Sequence, residues 1–172
     1  NALSAVATGG SIKVLKDNTS GAVTNSKNIT FNTNGKTITL SSAITNSSTG
    51  TLTINGAGTL MTSSTNLAIV NHGTLTTSSV TISASSAAAH YLIQNVGTFT
   101  VNAGTNITNN YGSGIAAYGG RVNYSAGTMS TYGNAIVTGF ASDTSSASIV
   151  ISGGTITSTS ASPLSIAPAV YN

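Results

Sequence analysis

Short segments in which an apolar residue alternates with Thr, Ser or Asn return along this chain at a nearly fixed interval. One set reads Ile29-Thr30-Phe31-Asn32, Leu52-Thr53-Ile54-Asn55, Leu75-Thr76-Thr77-Ser78, Phe99-Thr100-Val101-Asn102, Val122-Asn123-Tyr124-Ser125 and Ile149-Val150-Ile151-Ser152. The starts, at 29, 52, 75, 99, 122 and 149, step by 23, 23, 24, 23 and 27. A second set, after a bend that usually holds Gly, is built around Ile38, Leu60, Ile82, Ile107, Met129 and Ile156. A third, looser set covers 43–46, 67–71, 91–95, 114–117, 135–138 and 163–166. Alternation with a period of two, rich in β-branched residues, predicts strands, and no segment carries a helical apolar stripe.

Each strand type occurs once per period, so like strands pair with their copies in parallel rather than as hairpins. The expected fold is all-β: a right-handed parallel β-helix, or β-solenoid, of about six three-strand coils of about 23 residues. Handedness here follows the usual sense of parallel crossovers. At ~4.8 Å per strand, six coils make a rod roughly 25–30 Å long. Inner columns are expected from Ile29, Leu52, Leu75, Phe99, Val122 and Ile149, and from Ile38, Leu60, Ile82, Ile107, Met129 and Ile156. Residues 1–11 are expected to cap the N-terminal end, with 12–166 forming the solenoid and 167–172 a C-terminal tail. Phe140 to Ser146, the insertion behind the step of 27, predicts a protruding loop.

The bends repeat as well. Asn32, Asn55 and Asn102 share one place in the period, and Asn46, Asn71 and Asn95 another. Amides stacked at strand spacing can hydrogen-bond from coil to coil and tolerate left-handed backbone angles, which predicts ladders that need no charge.

Composition sharpens this picture. Charged residues are 4% and aromatics 5%, so the chain lacks the charge of a disordered segment while being rich in Thr, Val and Ile. The net charge of +3 arises from Lys13, Lys16, Lys27, Lys36 and Arg121 against Asp17 and Asp143. Beyond residue 37 a single arginine remains, which argues against nucleic acid as a partner. Without cysteine there are no disulfides, thiolate metal sites or Cys nucleophiles. No apolar run approaches the ~20 residues of a membrane helix. The start at Asn1, without Met or a leader, is expected of a mature or excised piece.

Ile12-Lys13-Val14-Leu15-Lys16-Asp17, the run Asn28-Ile29-Thr30-Phe31 through Asn34-Gly35-Lys36-Thr37-Ile38-Thr39-Leu40, and Ile151-Ser152-Gly153-Gly154-Thr155-Ile156 resemble the right-handed β-helix superfamily of pectate-lyase-like proteins, more narrowly the repeats of bacterial surface proteins. The resemblance covers about residues 12–166. It implies the solenoid and a secreted or cell-surface location, but no single function, because the fold hosts lyases, hydrolases, adhesins and stalks.

The enzymes of that superfamily need acids, to hold calcium or to act as a carboxylate pair. Here Asp17 and Asp143 are the sole acids, at opposite ends of the coil order and expected more than about 20 Å apart. No catalytic, cofactor or metal residues are therefore assigned. His72 and His90 have no carboxylate beside them in sequence and read as turn histidines. Tyr111, Tyr118, Arg121 and Tyr124 gather the late aromatics around a cation, where a surface glycan or a protein could stack, or else form a wall of tyrosines. Thr37, Thr39, Thr59, Thr81, Thr108, Thr128, Thr155 and Thr157 resemble the Thr arrays of ice-binding solenoids, interrupted by Met61 and Asn106; Thr also suits any outward strand position.

The sequence thus points to a non-enzymatic extracellular structural or adhesive module, or a self-assembling filament subunit. A glycan-binding adhesin and an ice-binding solenoid are the alternatives, and a polysaccharide lyase or hydrolase stands last. Around Leu164 the last coil carries only Pro163 and Pro168 as edge blockers, followed by the apolar Ala169-Val170-Tyr171. The expected partners there are a second copy, head to tail, or further coils of the same polypeptide.

Overall fold

The computed structural model describes residues 2–63, 67–85, 90–138, 146–160 and 164–165, with Leu3 and Ser4 by backbone only. Its strands run in triplets. β1–β3 are Ser11–Lys13, Asn18–Ser20 and Val23–Asn25; β4–β6 are Asn28–Asn32, Thr37–Leu40 and Ile44–Asn46; β7–β9 are Thr51–Asn55, Thr59–Thr62 and Ile69–Asn71. β10–β12 follow at Thr74–Thr77, Thr81–Ala84 and Tyr91–Asn95, and β13–β15 at Thr98–Val101, Asn106–Asn109 and Ser113–Ala117. β16–β18 are Arg121–Tyr124, Thr128–Thr131 and Ile136–Val137, and β19–β21 are Ser148–Ile151, Thr155–Ser158 and Leu164–Ser165.

First, second and third strands of the triplets make three separate seven-stranded sheets, here A, B and C, in which every pairing is parallel. The chain is an all-β parallel β-solenoid. The six coils of the repeat run from β4 to β21, and the shorter β1–β3 add a coil in front of them. That first coil has little alternation of its own. Asn18–Ser20 contains no apolar residue; it is held by pairing with Ile38–Leu40, and Asp17 Oδ1 accepts a 2.8 Å hydrogen bond from the Thr37 N–H.

Stacking, not globular collapse, creates the core. Ile29, Leu52, Leu75, Phe99 and Val122 are in register on sheet A, and all are buried. Ile38, Leu60, Ile82, Ile107 and Met129 do the same on sheet B, and Ile44, Ile69, Ile93, Ile115 and Ile136 on sheet C. Each buried aliphatic side chain contributes about 1.5–3 kcal/mol, so the columns supply the favourable term that offsets chain ordering.

Two kinds of corner turn the chain. Between sheets A and B every coil of the repeat places a residue at positive φ: Gly35, Gly56, Ser79, Gly104, Gly127 and Gly154, with Asn34 and Ala57 beside two of them. Between sheets C and A, Gly50, Gly73, Gly97 and Gly120 stack so tightly that a Cβ on any of the last three would strike the carbonyl of the glycine one coil earlier.

At the N-terminal end, helix α1, Ala2–Ala5, lies against β3. Lys27 Nζ donates 2.7 Å to the Val6 carbonyl just beyond the helix, and the Val6 side chain packs on the core. No helix among the described residues is long and apolar enough to cross a membrane. The expected loop at Phe140 to Ser146 and the expected tail at 167–172 lie, Ser146 apart, outside the described residues.

Candidate functional site

The corner that carries the Gly stack also carries a ladder of amides. Asn25 Nδ2 donates 2.9 Å to Asn46 Oδ1, Asn46 Nδ2 donates 2.8 Å to Asn71 Oδ1, and Asn71 Nδ2 donates 2.7 Å to Asn95 Oδ1. All are buried, and in the next coil Ala117 takes the place and ends the series. Asn32, Asn55 and Asn102 are not joined in this way. Asn32 Oδ1 accepts from the Asn34 N–H, Asn102 Oδ1 accepts from Ser125, and Asn55 Oδ1 is buried without a partner. Their corner is the one with left-handed residues, and its turn draws the Asn32 amide into a local bond instead.

The tyrosines singled out in the sequence are dispersed. Tyr124 belongs to the inner face of sheet A, in register with Val101, and has no accessible surface; its hydroxyl reaches the Thr155 carbonyl at 3.4 Å. Burial pushes its phenol up to about 12. Arg121 is exposed on the outside of the same strand, where its Nε donates 2.5 Å to Asn123 Oδ1. Tyr111 stands at the corner between sheets B and C, 46% exposed, with Tyr132 of the following coil, 54% exposed, at that same corner. Tyr118 sits at the opposite edge of sheet C, immediately after β15.

There Tyr118 joins residues from other strands. Leu67, His90, Tyr91, Gln94, Ala116 and Tyr118 line a groove of about 260 Å³ on the outer face of sheet C. Its cause can be traced to the outward column Thr45, Val70, Gln94, Ala116 and Val137, which is in register strand by strand. Ala116 is the smallest member, so a notch forms beyond Gln94 in the stack. Tyr91 pairs with Ser113, and Tyr118 lies five residues further on, so the two backbones stand roughly 16 Å apart along the strand direction. None of its described lining residues is Asp, Glu, Lys or Arg. His90, Tyr91 and Gln94 gave no sequence signal as a site, because only the register and the corners bring them together with Tyr118.

On sheet B, Thr37, Thr59, Thr81, Asn106, Thr128 and Thr155 form one outward column, and Thr39, Met61, Ser83, Thr108, Ser130 and Thr157 the other. Sheet A carries a more regular array, which the sequence reading overlooked. Thr51, Thr74 and Thr98 stack beside Thr53, Thr76 and Thr100 without interruption. Among the described residues, no group of three or more His, Asp or Glu side chains is placed to hold a metal ion.

No family model matches the sequence, and no curated protein or solved structure matches it either. Of the resemblance to the pectate-lyase-like and surface-repeat proteins, the parallel β-solenoid itself is what stands.

Proposed function

We propose that the chain is a non-catalytic extracellular module with structural and adhesive work: a stiff, nearly uncharged rod whose walls offer hydroxyls and amides to a partner. The observation that supports this best is the chemistry of the outward columns. Sheets A and B face outward mainly with Thr, Ser and Asn, held in place by parallel strand pairing. Such walls bind by hydrogen bonding and contact, whereas hydrolysis of a glycosidic bond uses two carboxylates facing one another. Of the two acids in the sequence, Asp17 is engaged at the start of sheet B, and Asp143 lies outside the described residues.

The seventh coil supports a partner that continues the stack. It forms the last strand of all three sheets, and Ile151 is 44% exposed there, although its register partner Tyr124 is covered. A further coil, or a second copy stacked head to tail, would cover that surface.

Incubation of the purified protein with neutral and acidic polysaccharides tests the reading. No reducing ends should form above a heat-denatured control, while the native material should be open to protease or antibody outside intact cells. Product release by the folded protein alone would overturn it. The uninterrupted Thr pairs of sheet A favour a second reading, an ice-binding face; a freezing-point depression beyond the colligative value would select that one.

A further inference from the structure

We propose that the groove on sheet C binds a neutral oligosaccharide, its pyranose rings lying along the strands between Tyr91 and Tyr118. The proposal rests on the adhesive reading above and names the class of ligand it would take.

Three features of the groove carry it. First, its floor is a sheet face, and the main-chain groups of β12 and β15 are paired with each other and with β9 and β18. A peptide cannot dock here by adding a strand, so recognition falls to side chains. Second, those side chains combine aromatic, apolar and hydrogen-bonding character: the Tyr91 and Tyr118 rings, Leu67 as an apolar contact, and the Gln94 amide and His90 imidazole. A pyranose has the matching form, a C–H face for an aromatic ring and a rim of hydroxyls for an amide or imidazole. Third, none of the described lining residues is Lys, Arg, Asp or Glu. A uronate or phosphorylated sugar would surrender hydration of its charge with nothing opposite to replace it, which selects a neutral ligand. The backbone offset between Tyr91 and Tyr118, roughly 16 Å, suits a short linear chain better than a single sugar.

The variants follow from the geometry. Tyr118→Ala and Tyr91→Ala each remove one stacking ring. Gln94→Ala, on the same outward column, removes the amide that would meet the hydroxyl rim. Tyr132→Ala removes an exposed tyrosine at another corner and serves as the control.

Saturation-transfer NMR and calorimetry with cellotriose, maltotriose and tri-N-acetylchitotriose, and with trigalacturonate as the acidic counterpart, decide the matter. The expected result is binding of at least one neutral trimer, a tenfold or greater loss in Tyr118→Ala and Gln94→Ala at unchanged thermal stability, and parental affinity in Tyr132→Ala. The proposal is overturned if no neutral trimer binds, if Tyr118→Ala and Gln94→Ala bind like the parent, or if trigalacturonate binds more tightly. Failure of the groove would leave the rod reading standing. Cleavage of a bound trimer would remove the non-catalytic reading and leave the groove.

Discussion

Asn46 and Asn71, one coil apart, are joined side chain to side chain: the Asn46 amide donates 2.8 Å to Asn71 Oδ1, and neither residue has accessible surface. Asn71 passes the pattern on, donating to Asn95 and to the carbonyls of Gly73 and Thr98. One side chain thus ties its own corner to the next coil, and the amides run in a single direction from Asn25 to Asn95.

Asn71→Ala should therefore cost about 3 kcal/mol, since it removes both the acceptor of one Asn46 bond and the donor to the buried Asn95 Oδ1. Asn95→Ala should cost less, because no amide follows Asn95 in the ladder. Urea unfolding of the two variants measures the difference; equal effects would mean that the coil-to-coil bonds contribute little.

The glycine stack makes a steric prediction. A Cβ at Gly73 would meet the Gly50 and Ser47 carbonyls, which are backbone and cannot rotate away, so Gly73→Ala should destabilise by roughly 2–4 kcal/mol. Gly21, with nothing within 4 Å of the corresponding position, should accept alanine within about 0.5 kcal/mol. Thermal melting compares them directly.

Ala57 makes the opposite prediction. It is exposed and held at φ 58°, a left-handed angle that alanine disfavours by about 1–2 kcal/mol. Ala57→Gly relieves this but loosens the unfolded chain, leaving a net gain of about 0.5–1 kcal/mol in the same melts.

Alkali should unfold the rod through Tyr124. Its phenol is held up to about 12 when folded, against about 10 unfolded, so the unfolded chain loses its proton first. Stability is then full below pH 10 and falls by on the order of 2 kcal/mol as pH rises toward 12. Tyr124→Phe should flatten that decline, as measured by urea midpoints across the range, and ultraviolet titration should find one tyrosine that ionises late.

Much of this architecture could be read before any coordinates, because a solenoid writes its register into its period. Leu52 and Leu75 are spaced as they are in order to stack, and the Asn46, Asn71 and Asn95 corner is visible for the same reason. Tyr124 was legible too: it lies two residues from the buried Val122, so the strand alternation turns it inward, away from any surface cluster. The first coil was not, since Asn18-Thr19-Ser20 has no pattern and is held by its neighbour's backbone. Nor was the groove, whose rings come from strands one coil apart and whose notch exists only once Ala116 is set beside Gln94.

Ladder, glycine stack and groove all depend on parallel coils stacked in one register, and pulsed electron spin resonance tests that directly. The chain has no cysteine, so spin labels can be placed pairwise on the outward column Thr30, Thr53, Thr76, Thr100, Asn123 and Val150 of sheet A. Separations from Thr30 should lengthen by ~4.8 Å with each coil, reaching roughly 19 Å at Asn123 and roughly 24 Å at Val150. A Thr30 to Val150 distance no longer than Thr30 to Asn123, or distances that do not grow coil by coil, would contradict the stack.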